Sequence, residues 1–251
     1  MTRIVILAAG KGTRMNVNLP KVLVKLNGLP MIRYLMDSVA MSGVDQQPLI
    51  IVSADNKEII SQELQDYSAQ YVIQDKQLGT GHAVACALEA LAKDRQQPDK
   101  VVVFYGDHPF VSARTVRELA KEEPEALTIT SVKVNNYEGW HRNFYHWGRV
   151  IRGIEDKVER VVELKEASEA EKEIQEVNGG FMCLNFAWAK EAVKRINNQN
   201  SQQEYYLTDL VKLAVDDWKP VSIFSVEPHE AMGINSLEEL RLAEGLLKEG
   251  R

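Results

Sequence analysis

Two cysteines, Cys86 and Cys183, are all that 251 residues contain, and they stand far apart with no clustered His or Cys partners. That scarcity excludes a disulfide-stapled scaffold and a zinc ribbon, and leaves two free thiols as the expectation. Histidine is scarce too: none of the five makes an H-x-x-x-H pair. No apolar run approaches the ~18 residues of a membrane span, and the first residues lack the basic-then-apolar design of a signal peptide. A cytoplasmic location with no membrane partner is therefore expected. Nor is there an excess of positive charge. The net charge of -6 gives no electrostatic footprint for nucleic acid, so the expected partners are small molecules, with the oligomeric state open. No Ser-His-Asp or Cys-His constellation stands out in the sequence either.

What is present is the composition of a soluble globular chain, 45% hydrophobic and 26% charged, long enough to bury a sizeable core. Short apolar runs rich in β-branched residues recur at "RIVILAA", "PLIIVS", "AQYVIQ", "KVVVFYGD", "ALTITSVKV", "RVVELKE", "GGFMCLN" and "VSIFSV". The early ones alternate with helix-period segments at 30–41, 57–66, 81–93 and 113–122, and further helices are expected at 186–196, 208–216 and 236–248. Ser236 followed by Glu239 reads as a capping box for the last helix. Near-continuous runs such as "IVILAA" and "VVVFY" suit strands covered on both faces. The pattern predicts an α/β fold, a Rossmann-like open, mostly parallel sheet flanked by helices. From about Thr128 the strands follow one another with fewer helices, which predicts a small antiparallel β subdomain. The charged stretch "EASEAEKEIQE" reads as a solvated connector or a short helix.

In open parallel sheets ligands bind beyond the carboxyl ends of the strands, so the residues after the apolar runs are the site candidates. The first such turn is "ILAAGKGTRM". Its glycines allow backbone N–H groups to approach an anion, yet its spacing matches neither G-x-x-x-x-G-K-[ST] nor G-x-G-x-x-G. Lys21, after Pro20, could set an ammonium against a phosphate, although an isolated lysine is ordinarily solvated. Asp107 in "GDHPF" ends a buried strand and could hold Mg²⁺, or simply cap a turn. His108 reads as a packing or turn residue. In "QDKQLGTGHA", Gln74 and the backbone around Gly79 and Thr80 offer uncharged donors and acceptors, which suit a nucleobase edge better than a phosphate.

The ordered set "LAAGKGTRM...LPKVL", "QLGTGHA", "YGDHPF", "WGRVIR", "VELKEAS", "EVNGGF", "EYYLTDL" and "GINS" resembles the sugar-1-phosphate nucleotidylyltransferase family, in particular its uridylyltransferase domains acting on N-acetylglucosamine 1-phosphate. The resemblance runs from about Ile4 to Glu244. It implies the nucleotide-diphospho-sugar transferase fold, with residues 1–127 as a nucleotide-binding half, 128–235 as a sugar-binding half and 236–251 as a C-terminal helix in one domain. It also implies transfer of UMP from UTP to a sugar 1-phosphate with release of pyrophosphate. Leu7, Ala8, Ala9 and Gly10 fall on positions that contact the uridine end; Gly12, Thr13 and Arg14 fall on those that wrap the phosphates. Lys21 matches a phosphate-contacting lysine, and Gln74, Gly79 and Thr80 match uracil-reading residues. Asp107 and Asn235 match the ligands of Mg²⁺, the implied cofactor. Tyr105, Gly148, Glu163, Asn178, Tyr206 and Thr208 fall on the sugar side. Arg14, Lys21 and Asp107 are the implied catalytic residues.

Three features depart from that pattern. The hexapeptide repeats of an acetyltransferase domain are missing, so acetyl transfer is not expected. The segment "NNYEGWHRNFYHWGRVIR", residues 135–152, is long and aromatic: Trp140, Phe144, Tyr145 and Trp147 could shape a sugar pocket, form a partner surface or pack a hairpin. "NGG" stands where Thr or Ser more usually follows the asparagine. Another sugar 1-phosphate or nucleoside triphosphate, or a catalytically silent nucleotide-sugar-binding subunit, are the alternatives.

Overall fold

The run "TRIVIL" forms the first strand because every second side chain can be buried on each face of a covered sheet. Val5 and Leu7 enter one apolar cluster, and Ile4 and Ile6 enter the other. The computed structural model describes residues 1–10, 12, 15 and 19–248. In chain order the strands are β1 (Thr2–Leu7), β2 (Lys25–Leu26), β3 (Leu29–Pro30), β4 (Leu49–Val52), β5 (Gln70–Ile73), β6 (Lys100–Tyr105), β7 (Leu127–Lys133), β8 (Arg149–Arg152), β9 (Val158–Val162), β10 (Glu176–Asn185) and β11 (Val221–Ser225). The helices are α1 (Met31–Ser42), α2 (Lys57–Glu63), α3 (Thr80–Leu91), α4 (Ala113–Leu119), α5 (Glu169–Lys172), α6 (Phe186–Ala192), α7 (Asp209–Asp216) and α8 (Leu237–Lys248).

The main sheet has the order β11-β7-β10-β6-β1-β4-β5. Strands β4 and β6 flank β1 in parallel, β5 extends β4 in parallel, and only β10 on this path is antiparallel to its neighbours. The chain leaves β1 toward β4 and β5 and returns on the other side at β6, so the order reverses beside β1. A crevice for a ligand opens at such a point. Helix α1 covers one face through Ile32, Leu35, Met36 and Val39, a spacing of one helical stripe. On the other face α3 buries Ala83, Val84, Ala87, Leu88 and Leu91 with residues of α6 and α7.

The antiparallel component expected after Thr128 is a ribbon of β8 and β9 attached to β10 through the pair Val177 and Arg149. Strands β7 and β11 instead extend the main sheet. The "EVNGGF" run carries an irregularity between Asn178 and Met182, where Gly180 adopts φ +89°. A side chain at Gly179 would lie 2.6 Å from Thr130 Oγ1, so close strand approach requires glycine there. Finally, α8 packs Ala243 and Leu246 with Met232, Ile234, Leu26 and Met31, and so returns the "GINS" segment to the end of β6. Of the cysteines, Cys183 is buried, whereas Cys86 is only half-buried; both are free. Among the described residues no helix is long and apolar enough to cross a membrane.

Candidate functional site

Three turns meet at the carboxyl ends of β1, β5 and β6. After β1, Ala8 and Ala9 are buried and Gly10 is exposed. Asn56 Nδ2 donates to the Ala8 carbonyl at 3.1 Å and Gln77 Nε2 to the Ala9 carbonyl at 2.8 Å. Gly106 donates to the Leu7 carbonyl at 2.9 Å, joining the β1 and β6 turns. Gly12, at φ +63°, lies so close to Lys21 that a Cβ would be 2.7 Å from Lys21 Cβ. The second glycine of the loop thus seats the turn against the lysine stem. Thr13 and Arg14 lie outside the described residues.

Lys21 donates to Asp107 Oδ2, and to Asn235 Oδ1 at 2.6 Å. Asp107 and Asn235 are 128 residues apart, but Ile234 N donates to the Asp107 carbonyl at 3.0 Å and locks the two segments together. The Ser236 hydroxyl accepts from Glu239 N at 3.2 Å, while the Glu239 carboxylate reaches back to Asn235 N, one residue before the cap. That is the expected capping box displaced by one position. Burial pushes the Asp107 carboxyl up, but the Lys21 ammonium, His108 and the hydrogen bonds to the carboxylate together outweigh it and hold the group below the usual carboxylate range. The two side-chain oxygens converge on one cationic centre. A divalent cation fits that donor set of carboxylate plus carboxamide, with its remaining ligands drawn from substrate and water. Among the described residues no group of three or more His, Cys, Asp or Glu could hold a metal ion.

Beside this centre a cavity of about 330 Å³ is lined by Asp107, Asn235, Thr80 and all six residues expected on the sugar side. Tyr105 ends β6, Glu163 follows β9, and Tyr206 and Thr208 precede α7. Gly148 N-terminal to β8 accepts from Asn178 N at 2.8 Å, and a Cβ on it would meet Glu163 Oε1 at 3.5 Å. Asn178 is therefore a strand residue at a bulge, with its Oδ1 accepting from Gly180 N at 3.3 Å. Glu163 accepts one hydrogen bond from Thr208, at 3.0 Å; burial pushes its carboxyl up, the Thr208 bond opposes this, and Asp209 adds to it. Burial and the Glu163 charge also push the Tyr105 phenol up, and burial moves the Tyr206 phenol to about 12.

The turn "QLGTG" is joined backbone to backbone with "EYYLT". Tyr205 N donates to the Leu78 carbonyl and Gly81 N to the Tyr205 carbonyl, both at 2.8 Å, and Leu207 N donates to Thr80 Oγ1 at 3.1 Å. Gly79 has φ +113°, and a Cβ there would lie 2.6 Å from the Tyr205 carbonyl oxygen. Gln74 is buried, and its Nε2 donates to the Gly79 carbonyl at 3.1 Å.

Sequence reasoning did not nominate Gln77, Asn143, His146, Gly180 and Glu204 for the site, and read Glu239 only as a cap. All but Gln77 line the cavity, and Gln77 clamps the first loop. The aromatic segment 135–152 was the only signal for two of them. It forms a 3₁₀ stretch over Gly139–His146, with Phe144 fully buried and Trp147 on the cavity wall, so it both packs and lines. His108 packs against Tyr105, Phe181 and Trp147; burial lowers its imidazole to about 4, which keeps it neutral at pH 7.

Residues 4–180 match the MobA-like NTP transferase domain family. The chain is also similar to three proteins named bifunctional protein GlmU. That of Caldicellulosiruptor saccharolyticus is 36% identical over 245 residues, 97% of this chain and 51% of the relative. Those of Clostridium beijerinckii and a Psychrobacter species are each 37% identical, over 246 and 239 residues, which cover 97% and 94% of this chain and 51% and 49% of theirs. The chain thus spans about half the length of the curated relatives it matches.

Proposed function

The chain belongs to the MobA-like NTP transferase domain family, and from that premise we propose that it transfers UMP from UTP to N-acetylglucosamine 1-phosphate. The observation that supports this reading is the common cavity of Asp107 and Asn235 with Tyr105, Gly148, Glu163, Asn178, Tyr206 and Thr208. Residues 1–127 would hold the nucleotide and 128–235 the sugar, in a cytoplasmic protein. A phosphate oxygen of the sugar 1-phosphate attacks the α-phosphorus of UTP in line. The new P–O bond forms as the bond to the β-phosphate oxygen breaks, and pyrophosphate leaves with the electron pair, giving UDP-N-acetylglucosamine.

Asp107 and Asn235 would hold Mg²⁺, which when bound neutralises phosphate charge. Lys21 and Arg14 add fixed positive charge against the phosphates as charge shifts toward the leaving group. Leu7, Ala8, Ala9, Gly10, Gly12 and Thr13 would bind the nucleotide; the first three are buried. Gln74, Gly79 and Thr80 face the base. Glu163 is a half-buried carboxylate with one hydroxyl donor, and a sugar hydroxyl donating to it would supply a second.

A second reading keeps the chemistry with another sugar 1-phosphate or nucleoside triphosphate; it is favoured by Asn143, His146 and Trp147 on the cavity wall. Pyrophosphate release measured over a grid of nucleoside triphosphates and sugar 1-phosphates with Mg²⁺ tests both. UTP with N-acetylglucosamine 1-phosphate is the expected pair. Another active pair selects the second reading, and no release from any pair would favour a silent nucleotide-sugar-binding subunit.

A further inference from the structure

Arg149 is a fully buried arginine whose hydrogen-bond acceptors are all backbone carbonyls. Nη1 donates to Trp147, Nη2 to Tyr145 at 2.9 Å and to Lys172 at 3.2 Å, and Nε to Lys172 at 3.2 Å. The guanidinium lies over the Tyr137 ring at 4.9 Å and the Tyr145 ring at 5.4 Å. Burying a guanidinium is costly, and an apolar residue of similar size would avoid that cost. What Arg149 supplies instead is geometry: a planar fork of donors that fixes several carbonyls at once.

Those carbonyls belong to two segments, the end of the aromatic stretch and the end of α5. Between Trp147 and Arg149 stands Gly148, whose carbonyl receives Asn178 N and whose α-carbon faces Glu163 and Val161. A shift of the clamped segment therefore moves the Asn178 and Glu163 side of the cavity together with the Trp147 wall. We infer that Arg149 is a positioning residue for the acceptor: it touches no substrate, and it sets the register of Trp147, Gly148 and Asn178 in which the sugar is held. The inference rests on the sugar 1-phosphate occupying this cavity, as proposed above. The UTP side, built from the β1, β5 and β6 turns, shares none of the Arg149 carbonyls.

The test is Arg149→Lys, which keeps the charge but lacks the fork, with Arg149→Met beside it. KM for each substrate is taken from pyrophosphate release, and stability from thermal unfolding. Arg149→Lys is expected to unfold cooperatively, to raise KM for the sugar 1-phosphate about tenfold and to leave KM for UTP within about twofold. Combined with Asn178→Ala, its effect should be clearly less than additive, since both changes disturb one register. Should Arg149→Met not fold, the lysine variant and the cycle decide. Unchanged sugar KM in a folded Arg149→Lys, an equal rise in both KM values, or full additivity with Asn178→Ala would overturn the inference while wild-type turnover keeps the functional reading. Absence of pyrophosphate release from the wild type with every pair would overturn both.

Discussion

Replacing Gly79 by alanine probes the seam between the base-side turn and the "EYYLT" segment. At φ +113° and ψ 175° Gly79 sits where side chains are strained by about 1–3 kcal/mol. The added Cβ would also lie 2.6 Å from the Tyr205 carbonyl oxygen and 2.8 Å from its nitrogen, and backbone atoms cannot swing aside as a side chain does. Relief of that contact breaks the pair of 2.8 Å hydrogen bonds that join Leu78 and Gly81 to Tyr205. At about 1 kcal/mol each, they bring the total to about 4 kcal/mol, or roughly 8–16 °C in melting temperature for a chain of this size. Gly43→Ala is the control. It has positive φ at the end of α1 but nothing within 4 Å of the new Cβ, so strain alone should cost about 1 kcal/mol. Thermal unfolding by circular dichroism measures both. If Gly79→Ala melts within about 2 °C of Gly43→Ala, the contact argument is wrong.

Asp209 begins α7 with its carboxyl pushed by burial from 3.8 to about 6. A raised folded-state value favours stability below about pH 4, and that contribution is lost as pH rises through about 6. Asp209→Asn should therefore match the wild type in melting temperature near pH 4 and exceed it at pH 7 and above; a pH-independent difference in a pH 4–8 melting series would count against this. Arg14→Ala should lower kcat and kcat/KM for pyrophosphate release together, by about tenfold or more, because the proposed role lies in the transition state. A change confined to KM would reduce Arg14 to a binding residue.

The inner parallel strands were legible because covered strands write themselves as apolar runs: β4 and β6 lie within runs read as strands, β1 starts one residue before its run, and the half-exposed edge strand β5 also falls within one. The ribbon of β8 and β9 was harder. Its strands "RVIR" and "VERVV" mix charge with apolar residues: β9 pairs with β8 alone, and Arg152 of β8 pairs with Glu176 of β10. Candidate site residues at strand ends could be nominated from local motifs. Their convergence could not: the approach of Asn235 to Asp107 is set by packing of α8, and no local spacing carries that contact. Gln77 was missed for a similar reason. Its function is a bond to the Ala9 carbonyl 68 residues away, invisible in the turn that contains it.

The central claim is that the centre formed by Asp107, Asn235 and Lys21 supports nucleotidyl transfer through a bound cation. Its most direct test is Mg²⁺-dependent pyrophosphate release from UTP and N-acetylglucosamine 1-phosphate by the wild type and Asp107→Asn, side by side. The variant keeps the shape of the side chain and removes its charge. The account predicts wild-type release that chelation abolishes, and a loss of about a hundredfold or more, roughly 3 kcal/mol, in a variant that still folds. Near wild-type, Mg²⁺-dependent release by Asp107→Asn would contradict it.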